Sequence, residues 1–295
     1  MVDLTLSGPI ERPSRWRASL ARGGTRLWCG GTLVGILFLI ALLAPLLAPH
    51  DPIEQDLLST QLPPAWMQGG EWSYPLGTDS LGRCVLSRLM YAARTAVAVA
   101  LIAASLAAAI GIAFGLIAGI FGGWIDQGVS RLIDVWMAFP PVLLSIVLAA
   151  VIGAGLTSVI AAIVVVDWTR FARVVRAETM VQLQRDYAAA ARVLGLSRGQ
   201  ILRLEILPNL VPLIVTLLAV EMGIAILVEV ILSFVGISVA GDVPTWGGMI
   251  VEGRQIVYQS PWIMALPILS VILSVIGFNL LGDGLRAALD PVQRR

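Results

Sequence analysis

Four carboxylates, Asp134, Asp167, Glu221 and Glu229, fall in or beside long apolar runs of this chain. An ionised carboxylate in hydrocarbon costs ~2.5–3.5 kcal/mol on insertion scales unless it meets a partner or water. Groups kept there relay protons, hold cations or border a polar path, so each is a candidate site. Asp134 has Arg131 one turn away and Asp167 has Arg170 likewise, which predicts local ion pairs. Glu221 and Glu229 have no Arg in their own run. Their spacing sets them about 80° apart around a helix, so both are candidates to border one lumen or a contact between subunits.

Other chemistries lack their residues. All 20 basic side chains are Arg and none is Lys, which removes phosphate-loop, Schiff-base and lysine general-base chemistry. An intramembrane hydrolase needs an activated nucleophile with a base inside the bundle, yet His50, the sole histidine, borders the first apolar run. No His/Cys/Glu cluster has metal-ligand spacing, so no metal site is expected. Cys29 and Cys84 flank that first run, which places them on opposite membrane faces and forbids their pairing.

The elements that must position these groups are apolar helices. Charged residues make up 13% of the chain and hydrophobic ones 58%, a composition for lipid. The expected fold is an all-α polytopic membrane protein with six transmembrane helices, near 28–48, 96–120, 132–153, 156–176, 209–237 and 262–282. The first run follows Arg12, Arg15, Arg17, Arg22 and Arg26 and resembles a secretory signal. It is long for one, and Pro follows both small residues of the would-be cleavage site, Ala44 and Ala48. Arg crowds the N-terminal arm and 170–203, whereas 49–82 has acids and no Arg. Both termini and the 177–208 loop are therefore expected in the cytoplasm. The expected organisation is a cytoplasmic Arg-rich arm (1–27), a first transmembrane helix (28–48), an external segment with an amphipathic helix (49–94), a five-helix core (95–285) and a cytoplasmic tail (286–295).

Within the second span Gly111, Gly115 and Gly119 form a small-residue stripe, suited to packing inside the chain or against a second subunit. Pro140-Pro141 removes backbone donors and predicts a bend in the third span. In the external segment, Thr78 or Asp79 is expected to cap an amphipathic helix running through Met90. Trp66, Trp72, Trp246 and Trp262 are expected at the membrane interface, ring in the headgroups and N–H in water.

One polar loop interrupts this pattern. Residues 187–194 read as a short helix whose alanines allow close approach of another backbone, ended by Gly195. Ser197 and Gln200 read as a capping box opening a second helix, which Pro208 is expected to close. The result is a two-helix elbow.

Here the residues resemble a known family. Ala189-Ala-Ala-x-x-x-Gly195 followed by Leu207-Pro208 resembles the EAA loop of type I ABC importer permeases. The likeness is nearest to the C-type subunit of the peptide/nickel (dipeptide/oligopeptide) branch and continues along nearly the whole chain. Pro75-Leu-Gly-Thr-Asp-Ser-Leu-Gly-Arg83, Trp168-x-x-Phe-Ala-Arg173-x-x-Arg176, Glu229-x-x-Leu-Ser-Phe-x-Gly236, Pro244-x-Trp-Gly and Asn279-Leu-Leu-Gly-Asp283-x-Leu-Arg286-x-x-Leu-Asp290-Pro291 are similar to that branch. The resemblance implies a permease subunit that forms half of a translocation pathway for peptides or a related small solute. It implies an ATPase-coupling interface at Tyr187, Ala189, Ala190, Ala191, Gly195, Leu196, Leu207 and Pro208. Implied partners are a homologous permease forming a heterodimer, two cytoplasmic ATPase subunits, an external substrate-binding protein and membrane lipid, with no nucleic acid. ATP and Mg would be used by the ATPases, and this chain would bind no cofactor. Glu221 and Glu229 become candidates for the cavity or the permease interface. The sequence departs from the family pattern where Ala189 replaces Glu, Glu205 replaces Ile and Cys84 replaces an acid. The rival is an ion-coupled secondary transporter working through Glu221 or Glu229, a class that often shows inverted repeats, of which the sequence has no convincing trace.

Overall fold

The computed structural model of the chain describes residues 15–237 and 243–289, with side chains from residue 24 onward. Arg12 and the Asp290-Pro291 end of the tail motif lie outside the described residues, as do the side chains of Arg15, Arg17 and Arg22. Backbone groups in lipid must find partners inside the chain, and every long apolar run is accordingly helical. The helices are α1 (Arg15–Leu47), α2 (Val85–Phe121), α3 (Gly123–Met137), α4 (Pro141–Ile152), α5 (Leu156–Leu183), α6 (Asp186–Val193), α7 (Arg198–Ile201), α8 (Leu207–Phe234), α9 (Trp246–Gln255) and α10 (Pro261–Leu289). A π-helical turn, Leu202–Ile206, joins α7 to α8.

Among the described residues, four segments are long and apolar enough to cross a bilayer: Gly24–Leu47, α2, the run Arg198–Phe234 and α10. The α3 and α4 pair makes a fifth if counted as one span bent by 85°. The expected single third span is therefore two helices. Pro140 is the N-cap of α4 and Pro141 opens it, a first-turn position where the missing N–H of proline would have no helical partner in any case. The 28 residues of α5 would reach ~42 Å, but Asp167, Arg170, Arg173 and Arg176 interrupt its apolar character. The expectation of six transmembrane helices thus stands as four or five by length and composition.

Two packed regions position the rest. Val34, Leu37, Ala93, Ala96, Ile226, Met249, Ile263 and Phe278 join α1, α2, α8, α9 and α10 in one core. Val99, Ala103, Val159, Ile163, Ala225 and Leu232 join α2, α5 and α8 in a second. The glycine stripe belongs to the chain's own packing. A Cβ on Gly111 would sit 2.3 Å from the Trp168 carbonyl oxygen, one on Gly115 2.8 Å from that of Ala172, and one on Gly119 2.7 Å from Thr179 Cβ. Backbone thus meets backbone along α2 and α5, a contact only glycine permits.

No separate amphipathic helix precedes α2. Asp79 accepts from the backbone N–H of Leu81 (2.9 Å) and Arg83 (3.0 Å), closing a tight loop, and helix begins only after Cys84. Trp66 and Trp72 are exposed, and Trp262 is half-buried. Trp246 is instead a core residue whose indole N–H donates to the Leu89 carbonyl at 3.3 Å.

Candidate functional site

The elbow between α5 and α8 is built as a chain of caps. α6 ends in a Schellman motif: the Leu196 N–H donates to the Ala191 carbonyl (3.1 Å) and the Gly195 N–H to that of Arg192 (3.0 Å). Gly195 supplies the positive φ, +82°, that this motif demands. Ser197 and Gln200 then form the reciprocal capping box, at 2.8 and 3.4 Å. Pro208 does not close the second helix. The π-helical turn lets the Leu207 N–H reach back to Leu202, and helix continues through Pro208 into α8. Pro208 cannot donate to the carbonyl four residues earlier, and it is accommodated at the first turn of α8, directly after the π-turn widens the backbone ladder.

The elbow is anchored on its inner side. Ala191, Ile201, Ile206 and Leu210 pack with Val175 of α5, and Leu183, Leu196 and Leu202 close round them. Arg192 donates to the Leu183 carbonyl and the Tyr187 hydroxyl to Gln182 Oε1, tying α6 to the end of α5. Burial is the main reason the Tyr187 phenol is pushed above its ordinary pKa. Asn209 Nδ2 donates to the Glu205 carbonyl at 2.7 Å and braces the π-turn.

Of the residues read from the sequence, Ala189, Ala190, Gly195, Leu207 and Pro208 are exposed, while Tyr187 and Leu196 are half-buried. Ala191 turns inward and contributes to the elbow's packing instead of its outer surface. Sequence reasoning missed Val193 and Leu194, which stand 88% and 79% exposed at the tip of α6. Two bulky apolar residues just before a helix-ending glycine were the available signal. The elbow is thus anchored on one side and shows alanine, valine and leucine on the other.

The intramembrane carboxylates divide into separate environments. Asp134 pairs with Arg173 of α5 at 3.2 Å, not with Arg131 of its own helix. Beside it, Arg176 grips Asp126 of α3, with one N–H···O distance of 2.7 Å. These two pairs fasten α3 to α5. Asp167 lies 3.8 Å from Arg170 as expected, but the same guanidinium also reaches Glu221 of α8 at 3.7 Å. Glu229 is buried elsewhere: Ser233 Oγ donates to it at 2.6 Å, and Ser233 lies 3.3 Å from Thr245, the N-cap of α9. The neighbours of the two acids thus differ: Arg170 of α5 beside Glu221, Ser233 of α8 beside Glu229.

At the end of α2 remote from the elbow a four-charge clamp, two acids and two arginines, closes the loop motif. Arg83 donates to Asp79 and to Glu252 of α9, each at 2.8 Å, and Arg88 bonds both acids, reaching Glu252 Oε1 at 3.1 Å. Asp79, Arg83 and Arg88 are buried, so each charge depends on its partners. Cys84, also buried, occupies the N-cap of α2 without a side-chain cap bond.

Comparison with known proteins agrees with this architecture. Residues 111–295 match the family described as binding-protein-dependent transport system inner membrane component, and residues 27–64 match the N-terminal TM domain of oligopeptide transport permease C. The dipeptide transport system permease protein DppC of Haemophilus influenzae is 41% identical over 88% of this chain and 90% of its own length. The di/tripeptide transport system permease protein DppC of Pseudomonas aeruginosa is 38% identical, with 88% of each chain covered. The glutathione transport system permease protein GsiD of Pectobacterium atrosepticum is 36% identical over 88% of this chain and 85% of its own length. Among solved structures, an inward-facing form of the MetNI methionine ABC transporter superposes with a TM-score of 0.57 at 19% identity, covering 69% of this chain and 97% of that one. The chain belongs to the binding-protein-dependent transport system inner membrane component family and is a permease subunit of a type I ABC importer.

Proposed function

We propose that this subunit forms half of a translocation pathway for dipeptides or similarly small peptides. The peptide-transport names of its relatives support that substrate class. A homologous permease supplies the other half as a heterodimer, an external binding protein delivers the peptide, and two cytoplasmic ATPases power the cycle. ATP and Mg are used on those ATPases, since the chain contains no lysine and hence no phosphate loop. Both termini lie in the cytoplasm of a bacterial inner membrane, in keeping with the arginine asymmetry.

One observation carries the mechanical part of this reading: a capped, internally anchored elbow sits between α5 and α8 and presents Ala189, Ala190, Val193 and Leu194 outward. The ATPases grip that surface. Because the elbow is continuous with α8 and bonded to α5, its displacement moves both helices together and alternates access to the pathway. The test is uptake by the reconstituted importer. Peptide accumulation that requires ATP hydrolysis and ignores ion gradients is expected; accumulation driven by an ion gradient with the ATPases removed would establish the secondary-transporter alternative instead.

A further inference from the structure

The contact between α5 and α8 holds two acids and one base. Asp167 and Glu221 are 3% and 4% exposed, and their carboxyl groups lie within hydrogen-bonding reach of each other. Arg170 stands 3.8 Å from the first and 3.7 Å from the second, with 36% of its side chain exposed. Among the described residues Arg170 is the one cation at ion-pair distance from either acid; α2, α3, α4 and the rest of α5 and α8 bring no other. Glu221 Oε1 is buried and accepts no hydrogen bond from any donor of the described structure. Two carboxylates in a dry contact repel, and one guanidinium at ion-pair distance neutralises only one of them. A proton between the carboxyls removes the excess charge and gives the unfilled oxygen its partner.

The depth of the pair matters. Sixteen residues separate Asp167 from the end of α5 at Leu183, and fourteen separate Glu221 from the start of α8 at Leu207. At about 1.5 Å per residue both acids stand ~21–24 Å along the helix from the elbow. They therefore bridge the two helices that the elbow moves.

We propose that Asp167, Glu221 and Arg170 form a proton-binding site that latches α5 to α8, one carboxylic acid donating its O–H to the other carboxylate while Arg170 neutralises the remaining charge. The site takes up one proton from water by way of the half-exposed Arg170 side. Losing that proton leaves two anions against one cation and loosens the contact. The latch rests on the proposed function only in its consequence for coupling; its chemistry stands apart from it.

Infrared spectroscopy of the purified importer in nanodiscs tests the chemistry directly, because protonated and ionised carboxyls absorb at separate frequencies. Wild-type protein at neutral pH should show a carboxylic-acid band that shifts in D2O and disappears at alkaline pH. Glu221→Gln and Asp167→Asn should each remove one carboxyl equivalent of it, whereas Glu229→Gln should leave that component in place. The absence of the band from wild-type protein overturns the proposal, a result that needs no variant to fold. A band lost only in Glu229→Gln overturns it as well. Transport-coupled ATPase activity should fall with rising pH in the wild type and be flat over the same range in Glu221→Gln. A flat wild-type profile with the band present would overturn the latch while leaving the shared proton.

Discussion

Gly195 offers a clean way to disturb the elbow, because its environment isolates one physical cause. A Cβ built on it meets nothing within 4 Å, so substitution introduces no clash. What remains is the backbone, held at φ +82°. An L-residue in that region costs about 1–2 kcal/mol, and such a cost changes the ratio of native to alternative elbow conformations about 5–30-fold. Asparagine tolerates the conformation better than alanine, and β-branched valine worse. Coupling, taken as the ratio of peptide-stimulated to basal ATPase activity in the reconstituted importer, should decline in the order Gly195, Asn, Ala, Val. Membrane insertion and the melting of the helical bundle should hardly change, since the spans are untouched. Wild-type coupling in Gly195→Val would refute the claim that the Schellman turn sets the elbow's geometry. Equal losses in the Asn and Val variants would refute backbone strain as the cause.

Other positions test the packing and the four-charge clamp. Gly115→Val drives a side chain into the Ala172 carbonyl 2.8 Å away and should destabilise the subunit by about 1–3 kcal/mol, read as a lower melting temperature in detergent. Gly31→Ala, which meets nothing within 4 Å, should melt as the wild type does. Arg88→Ala strands buried Asp79, and half-buried Glu252 beside it, with too little positive charge and should cost about 3 kcal/mol. Adding Asp79→Asn to that variant should recover part of the loss in the same melt. Cys84→Ser places an N-cap acceptor at the start of α2 and should stabilise by about 1 kcal/mol, whereas Cys84→Val should not.

The elbow was legible because caps are local: Gly195, Ser197 and Gln200 each act on backbone within a few residues. Pro208 was misleading, since its effect depends on whether the preceding turn can widen, and Leu202–Ile206 does so. The broken third span lay half in view, with Pro140-Pro141 marking the place but not the 85° angle, which packing of α4 against α5 and α8 determines. Charge pairing was the least legible. Asp134 and Glu221 each meet an arginine from α5, and the glycine stripe that brings α2 against α5 gives no hint of those registers. Trp246 likewise looked interfacial by type, yet α9 folds it inward.

In the proposed cycle the ATPases move this permease by gripping the outer face of the elbow. Its most direct test replaces Val193 and Leu194 together by Asp in the full importer, two exposed positions whose change leaves the elbow's interior packing intact. Co-purification of the ATPase subunits with the permease pair, measured alongside peptide uptake, should be lost while the permease pair itself still assembles in the membrane. Full ATPase retention with wild-type, ATP-dependent uptake would contradict the account.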